Sequence, residues 1–255
     1  MTEKFNSAGV EIAYDVWGQG PPVLLIHGFA SNMNVNWVET GWVKALTGAG
    51  YRVIAFDNRG HGQSGKLYDS NQYLAPMMAD DAKRLLDHLE IEKAAVMGYS
   101  MGARISAFLT MQNPSRVRCA IFAGLAERMI SGVGGAEEIA DALEAAHLAD
   151  VTDRSARGFR IFADSTKSDR AALAACIRSS RVKIKPEALA AITCPVLVVA
   201  GALDDVAGKV EGLTSIIPGS KGVVLPKRNH MNAVGDSGYK EAVLGFLGDM
   251  NSTSP

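Results

Sequence analysis

Gly98-Tyr99-Ser100-Met101-Gly102 sets one serine between two glycines, directly after the apolar run Ala94-Ala95-Val96-Met97. A serine hydroxyl is a poor nucleophile until a base takes its proton, and a Gly-x-Ser-x-Gly turn from strand to helix holds that hydroxyl out where a base can reach it. The glycines keep neighbouring side chains clear of the turn. Glycine and serine are common, so the pentapeptide alone is a weak signal and its context must carry the reading. The chemistry needs three further parts: an imidazole within hydrogen-bond reach, a carboxylate to orient it, and N–H donors for the oxyanion that forms on the substrate.

Candidates for all three fall just past the ends of apolar runs, and open α/β sheets keep their sites at the carboxyl ends of their strands. Residues 195–200 lead into Gly201-Ala202-Leu203-Asp204-Asp205, which brings two adjacent carboxylates, and Val223-Val224-Leu225 leads to His230. Residues 23–26 end in His27-Gly28-Phe29. The Phe29 N–H is one expected oxyanion donor. The Met101 N–H is the other, because the amino end of the helix after Ser100 carries unpaired amides and a favourable dipole. His27 reads as holding the oxyanion loop, His61 as loop structure, and His88 and His147 as polar-face residues.

These residues need elements to position them. Apolar runs predict strands over 10–16, 23–26, 52–56, 94–97, 117–122, 195–200 and 222–225, with helices over 37–49, 73–89, 101–112 and 239–246. The alternation specifies an α/β fold, a mostly parallel central sheet with helices on both faces. Between its fourth buried strand and Pro195 the rhythm breaks into alanine-rich, helix-prone sequence. This predicts a core of 1–125 and 189–255 carrying a helical insertion at 126–188. Residues 127–153 are mainly acidic and 154–185 mainly basic, which reads as solvated helix faces.

The chain has 255 residues, 47% of them hydrophobic, enough for one sizeable core. With 26 basic and 27 acidic residues the net charge is -1, so there is no field for nucleic acid or an anionic membrane. Cys119, Cys176 and Cys194 fit no metal pattern and read as reduced, mostly buried thiols. The segment 1–7 has no apolar signal sequence and the longest apolar runs are strand-sized, so a cytoplasmic location is expected. Nothing in the pattern specifies an oligomeric state. Gly60-His61-Gly62-Gln63-Ser64-Gly65 fits a dinucleotide fingerprint and, with Lys66, most of a phosphate loop. Leu67 stands where the phosphate loop needs Ser or Thr, and turn-like Tyr68-Asp69-Ser70-Asn71 stands where a helix should begin. The preferred reading is a surface loop tied down by Arg59 and Asp57. Met33, Met77, Met78, Met101 and Met129 suit an adaptable pocket, with core packing the better expectation.

Taken together, His27-Gly28-Phe29, the stretch from Asp57 to Ser64, Gly98-Tyr99-Ser100-Met101-Gly102, Gly201-Ala202-Leu203-Asp204 and Asn229-His230 make the chain resemble an α/β-hydrolase-fold serine hydrolase, esterase-like with a small helical cap. The likeness covers nearly the whole chain. Ala103 departs from a further glycine common in such proteins, and Val206-Ala207-Gly208 from a proline shortly after the acid; these cloud the subfamily and leave the catalytic groups alone. The resemblance implies Ser100 as nucleophile, His230 as base and Asp204, rather than Asp205, as acid. It also implies hydrolysis of an ester or related acyl bond in a small-molecule substrate, with no metal and no organic cofactor. Similar families use the same constellation for lactone opening, carbon–carbon cleavage of diketones, amide hydrolysis and peracid formation. Epoxide and haloalkane enzymes typically carry Asp at the elbow, which Ser100 argues against. A different class remains open: a lyase using Ser100 and His230 to shuttle protons, or a non-catalytic ligand receptor.

Overall fold

The structure, a computed structural model, describes residues 2–252. Its sheet has eight strands among those residues: β1 Glu3–Ser7, β2 Val10–Trp17, β3 Pro22–Ile26, β4 Arg52–Phe56, β5 Ala94–Tyr99, β6 Val117–Ala123, β7 Val196–Gly201 and β8 Lys221–Leu225. The spatial order is β1-β2-β4-β3-β5-β6-β7-β8. From β4 through β8 neighbouring strands run parallel, and β1 and β2 add an antiparallel edge. β5 and β7 are buried at every position, which is why they read as continuous apolar runs: helices cover both faces of a parallel sheet.

α1 (Trp42–Gly48) and α10 (Ser237–Ser252) pack on one face. α2 (Ala75–His88) and α3 (Met101–Gln112) pack on the other. Between β6 and β7 the chain forms only helices: α4 Arg128–Ser131, α5 Ala136–Glu144, α6 Arg154–Ser165, α7 Arg170–Ser180 and α8 Pro186–Ala190. α9 (Val210–Thr214) links β7 to β8. α6 and α7 start where an aspartate caps them, with Asp153 accepting from Ala156 N–H at 2.7 Å and Asp169 from Ala172 N–H at 3.0 Å.

Three features differ from the sequence reading. β1 was not anticipated, because only Phe5 and Ser7 of its five residues are buried. The helix expected over 37–49 is split. Asn34–Val38 forms a wide π-type turn, and Gly41, at φ 79°, breaks the chain before α1. The loop 60–66 is a surface loop only at its tip, where Gly62 and Gln63 are exposed; His61 and Ser64 are buried, as are Asp57, Asn58 and Arg59 before it. It is held by charge-assisted hydrogen bonds. The Asp57 carboxylate accepts from Met33 N–H at 2.8 Å and Gln63 N–H at 2.7 Å. Arg59 forks onto Asp81 of α2 at 2.7 and 2.8 Å, and Ser7 Oγ donates to the same carboxylate at 2.5 Å.

The Arg59–Asp81 pair therefore joins three parts of the chain inside the protein. Asp81→Ala strands a buried guanidinium, and such losses cost about 3–5 kcal/mol. The expected result is an unfolding free energy from urea melts that is lower by that amount for Asp81→Ala, against a small change for the exposed Asp87→Ala.

Candidate active site

β5 ends at Tyr99 and α3 begins at Met101, so Ser100 alone makes the turn, at φ 56° and ψ -113°. This is a left-handed conformation that a non-glycine residue holds only when its surroundings force it. Here they do. A Cβ on Gly98 would lie 2.1 Å from the Gly102 carbonyl oxygen, and one on Gly102 would lie 1.9 Å from that of Ile26. The Ser100 N–H is bound to the Ala123 carbonyl at 2.7 Å, which ties the turn to the end of β6.

The loops after β7 and β8 bring the remaining groups. His230 Nε2 is 3.0 Å from Ser100 Oγ, and its Nδ1 is 2.9 and 3.0 Å from the two Asp204 carboxylate oxygens. The Asp204 side chain is fully buried, and its Oδ1 also accepts from Val206 N–H at 3.0 Å and Ala207 N–H at 2.9 Å. Asp205 points to solvent. A carboxylate at Nδ1 fixes the proton there and turns the Nε2 lone pair toward the serine hydroxyl. Two contacts hold the His230 loop. Tyr99 Oη donates to the His230 carbonyl at 2.6 Å, and Leu203 N–H donates to the Arg228 carbonyl at 2.8 Å.

The loop after β3 closes the other side. Gly28 packs so tightly that a Cβ would sit 3.2 Å from the Tyr99 carbonyl oxygen and 3.4 Å from Ser100 Cβ. Its N–H donates to Asn36 Oδ1 at 3.1 Å. His27 is fully buried; its Nδ1–H donates to the Gly28 carbonyl at 2.7 Å and its Nε2 accepts from Asn58 N–H at 2.9 Å. It positions this loop and makes no contact with Ser100. Burial lowers the His27 pKa to about 4, and burial together with the neighbouring His27 lowers that of His61 to about 3. Both imidazoles are neutral at physiological pH.

Two cavities meet at Ser100. One of about 30 Å³ is bordered by Phe29, Met101, Leu125 and Arg104 of the core together with Ile177 and Arg181 of the helical segment. The other, of about 200 Å³, is mostly apolar and bordered by Val35, Phe162, His230, Met231 and Val234. Phe29, Ser100 and Phe159 border both. Of the five methionines singled out from the sequence, Met101 alone borders either cavity; Met33, Met78 and Met129 are core residues and Met77 is exposed. Tyr99, Asn36, Phe159, Phe162, Arg104 and Arg181 escaped the sequence reading. Arg104 had a usable signal, since it stands one helical turn after Ser100. Among the described residues no helix is long and apolar enough to cross a membrane, and no cluster of His, Cys, Asp and Glu could hold a metal ion.

A family model of the alpha/beta hydrolase fold matches residues 21–152, just over half of the chain. The chain belongs to the α/β-hydrolase fold family. It is 38% identical over 114 residues to non-heme chloroperoxidase CPO-A1 of Kitasatospora aureofaciens, a match taking in 44% of this chain and 40% of that protein. It is 36% identical over 107 residues to epoxide hydrolase B of Mycobacterium tuberculosis H37Rv, covering 42% and 29%. The chain thus aligns with less than half the length of these curated relatives. The crystal structure of a hydrolase from Pseudomonas aeruginosa PA01 superposes with a TM-score of 0.80 at 25% identity, over 97% of this chain and 98% of that one.

The buried histidines make a pH prediction. His27 has a folded pKa below its unfolded value of 6.5, so the stability carried by its neutral form is complete above pH 6.5 and is lost as pH falls toward 4. That loss is about 3 kcal/mol at full extent. Asp57 opposes it, because burial raises its carboxyl pKa and lets the folded state take up a proton early. A comparison of variants isolates the histidine. In urea melts between pH 7 and 4, stability falls less steeply with pH for His27→Gln than for the parent.

Proposed function

We propose that this protein is a serine hydrolase that cleaves an ester or related acyl bond of a small molecule through Ser100, His230 and Asp204. The observation that carries the reading is the continuous chain from Ser100 Oγ to His230 Nε2 at 3.0 Å and from His230 Nδ1 to a buried Asp204 at 2.9 Å. His230 takes the Ser100 proton as Oγ attacks the acyl carbon, and Asp204 stabilises the imidazolium that results. The Phe29 and Met101 amides hold the oxyanion; Ser100 N–H, spent on Ala123, is not available for it. His230 then gives its proton to the leaving oxygen. Water, deprotonated by the same imidazole, releases the acid from Ser100. In this reading residues 1–125 and 189–255 are the core and 126–188 a cap, supported by Phe159, Phe162 and Arg181 bordering the cavities at Ser100.

The chloroperoxidase relative favours a second reaction on the same acyl-enzyme. Hydrogen peroxide replaces water at the release step and a peracid leaves. The epoxide hydrolase relative does not lend its chemistry in the same way, because the elbow here carries a serine in place of a carboxylate.

A p-nitrophenyl ester series from acetate to decanoate tests the proposal. Turnover by the parent and a fall of about 10⁴-fold or more in Ser100→Ala and Asp204→Asn is expected, with Asp205→Asn close to the parent. A fluorophosphonate probe should label Ser100. Absence of both labelling and turnover in folded protein would favour a receptor or a lyase.

A further inference from the structure

Arg104 and Arg181 both border the smaller cavity beside Ser100, and neither has a carboxylate within ion-pair distance among the described residues. Other buried arginines differ. Arg59 is paired with Asp81 and Arg160 with Asp164. Arg104 is 2% exposed; its Nη1 donates to the Met129 and Val182 carbonyls, while Nε and Nη2 have no acceptor among the described residues. Arg181 donates through Nη1 to the Gly134 carbonyl and lies 5.9 Å over the Phe159 ring, again with Nε and Nη2 unengaged. The acids in the neighbourhood make no ion pair with them: Glu138 on α5 and Asp153, which borders an adjoining cavity with Arg181, are both exposed. Burial and the nearby Arg181 lower the Arg104 pKa to about 10, and burial lowers that of Arg181 to about 10, partly offset by Cys176 and Glu138. Both remain cations at neutral pH. Burying guanidinium groups without a counter-ion is costly, and an anion that bridges them recovers that cost.

The position of His230 says which half of a substrate meets them. Its proton must reach the leaving oxygen, and His230 borders the 200 Å³ apolar cavity. The alcohol therefore lies there. The acyl chain then enters the 30 Å³ cavity, where Met101, Arg104 and Arg181 wait. That volume admits only a short chain.

We propose that the acyl half of the substrate ends in a carboxylate held by Arg104 and Arg181, making the preferred substrate the half-ester of a short dicarboxylic acid with an apolar alcohol. The proposal rests on the acyl-hydrolase reading. Ser100 Oγ bonds to the ester carbon, the ester C–O bond breaks, and the His230 proton goes to the alcohol. Water then releases the dicarboxylate, with the distal carboxylate unchanged throughout. A neutral chain would leave both guanidinium groups unpaired, which is the source of the discrimination.

The test compares kcat/KM for monobenzyl succinate with that for benzyl 4-methylpentanoate, which has an isopropyl group in place of the carboxylate. The parent should favour the succinate ester by about tenfold or more, and Arg181→Gln should lower that ratio by about tenfold, the scale of one lost charged hydrogen bond. Arg104→Gln should act likewise; because Arg104 also ties Met129 and Val182, the less buried Arg181 decides. A parent preference for the neutral ester, or an unchanged ratio in Arg181→Gln, overturns the proposal. Calorimetry on Ser100→Ala supplies a readout without turnover. Monobenzyl succinate should bind about tenfold more weakly when Arg181→Gln is added, and equal binding also overturns it. Ser100-dependent cleavage of the neutral ester with no preference for the half-ester refutes the anion site and leaves acyl hydrolysis standing. Arg181-dependent binding without Ser100-dependent turnover supports the anion site and refutes acyl hydrolysis.

Discussion

The approach of the α3 backbone to the ends of β3 and β5 is the constraint on which the rest of the site depends. Only a residue without Cβ fits at Gly98 or Gly102, where one would lie about 2 Å from a carbonyl oxygen. That closeness forces Ser100 into its left-handed conformation, a cost of roughly 1–3 kcal/mol, which the surrounding core must offset. It is well placed to do so, because β5 is buried throughout and α3 buries Met101 through Ala107. The same turn sets three things at once: an outward hydroxyl, a free Met101 N–H at a helix terminus, and a carbonyl of Tyr99 against which Gly28 can pack. Relaxing any one of them would move the other two.

Around this turn, loops are fixed by buried polar groups rather than by apolar contact. Loops after β3 and β4 interlock through His27, Asn58 and Asp57, and the loop after β7 clamps that after β8 through Leu203 N–H and Arg228. Such groups are tolerated in the interior because nearly all of them are paired and the histidines give up their charge. These ties hold the loops that carry Ser100, His230 and Asp204, which stand at hydrogen-bond distances from one another. Among the described residues of these loops, His61 Nε2, Asn58 Oδ1 and Asn36 Nδ2 are buried without a hydrogen-bond partner.

The central parallel strands were legible because burial on both faces leaves them continuously apolar, and Ser100 and Asp204 were legible because each falls just past such a strand; His230 follows the edge strand β8, of which only Leu225 is buried, and was legible from the short apolar run Val223-Val224-Leu225 before it. What depended on long-range pairing was not. β1 has an alternating pattern with only Phe5 and Ser7 turned inward, too little to announce a strand before its partner is known. Residues 60–66 are polar enough to suggest a surface, and Gly62 and Gln63 reach it, yet Asp81, on a distant helix, neutralises Arg59 and holds the base of the loop inside. Gly41 reads as a tolerated helical residue until its left-handed φ is seen. Arg104 and Arg181 are ordinary helix-surface arginines in sequence; only the fold brings them to one cavity.

The helical segment between β6 and β7 is the part of the molecule freest to change. Among the described residues its side-chain hydrogen bonds to the rest of the chain are Thr166 Oγ1 to the Ala30 carbonyl at 2.9 Å, Ser179 Oγ to the Ser70 carbonyl, Tyr68 Oη to Asp169 at 2.9 Å, Arg104 to the Met129 and Val182 carbonyls, Lys209 N–H to Glu127 at 3.3 Å, and Cys176 Sγ to Met101 Sδ at 3.9 Å. Most are to backbone carbonyls, which any residue at the accepting position supplies. Sequence can therefore drift in this segment without loosening the elbow. The family match runs from the start of β3 to residue 152 and ends inside the segment. Core and insertion thus carry different burdens. The backbone of the core dictates the geometry at Ser100, where small displacements are costly, whereas Phe159, Phe162, Ile177 and Arg181 of the helical segment border the cavities beside it.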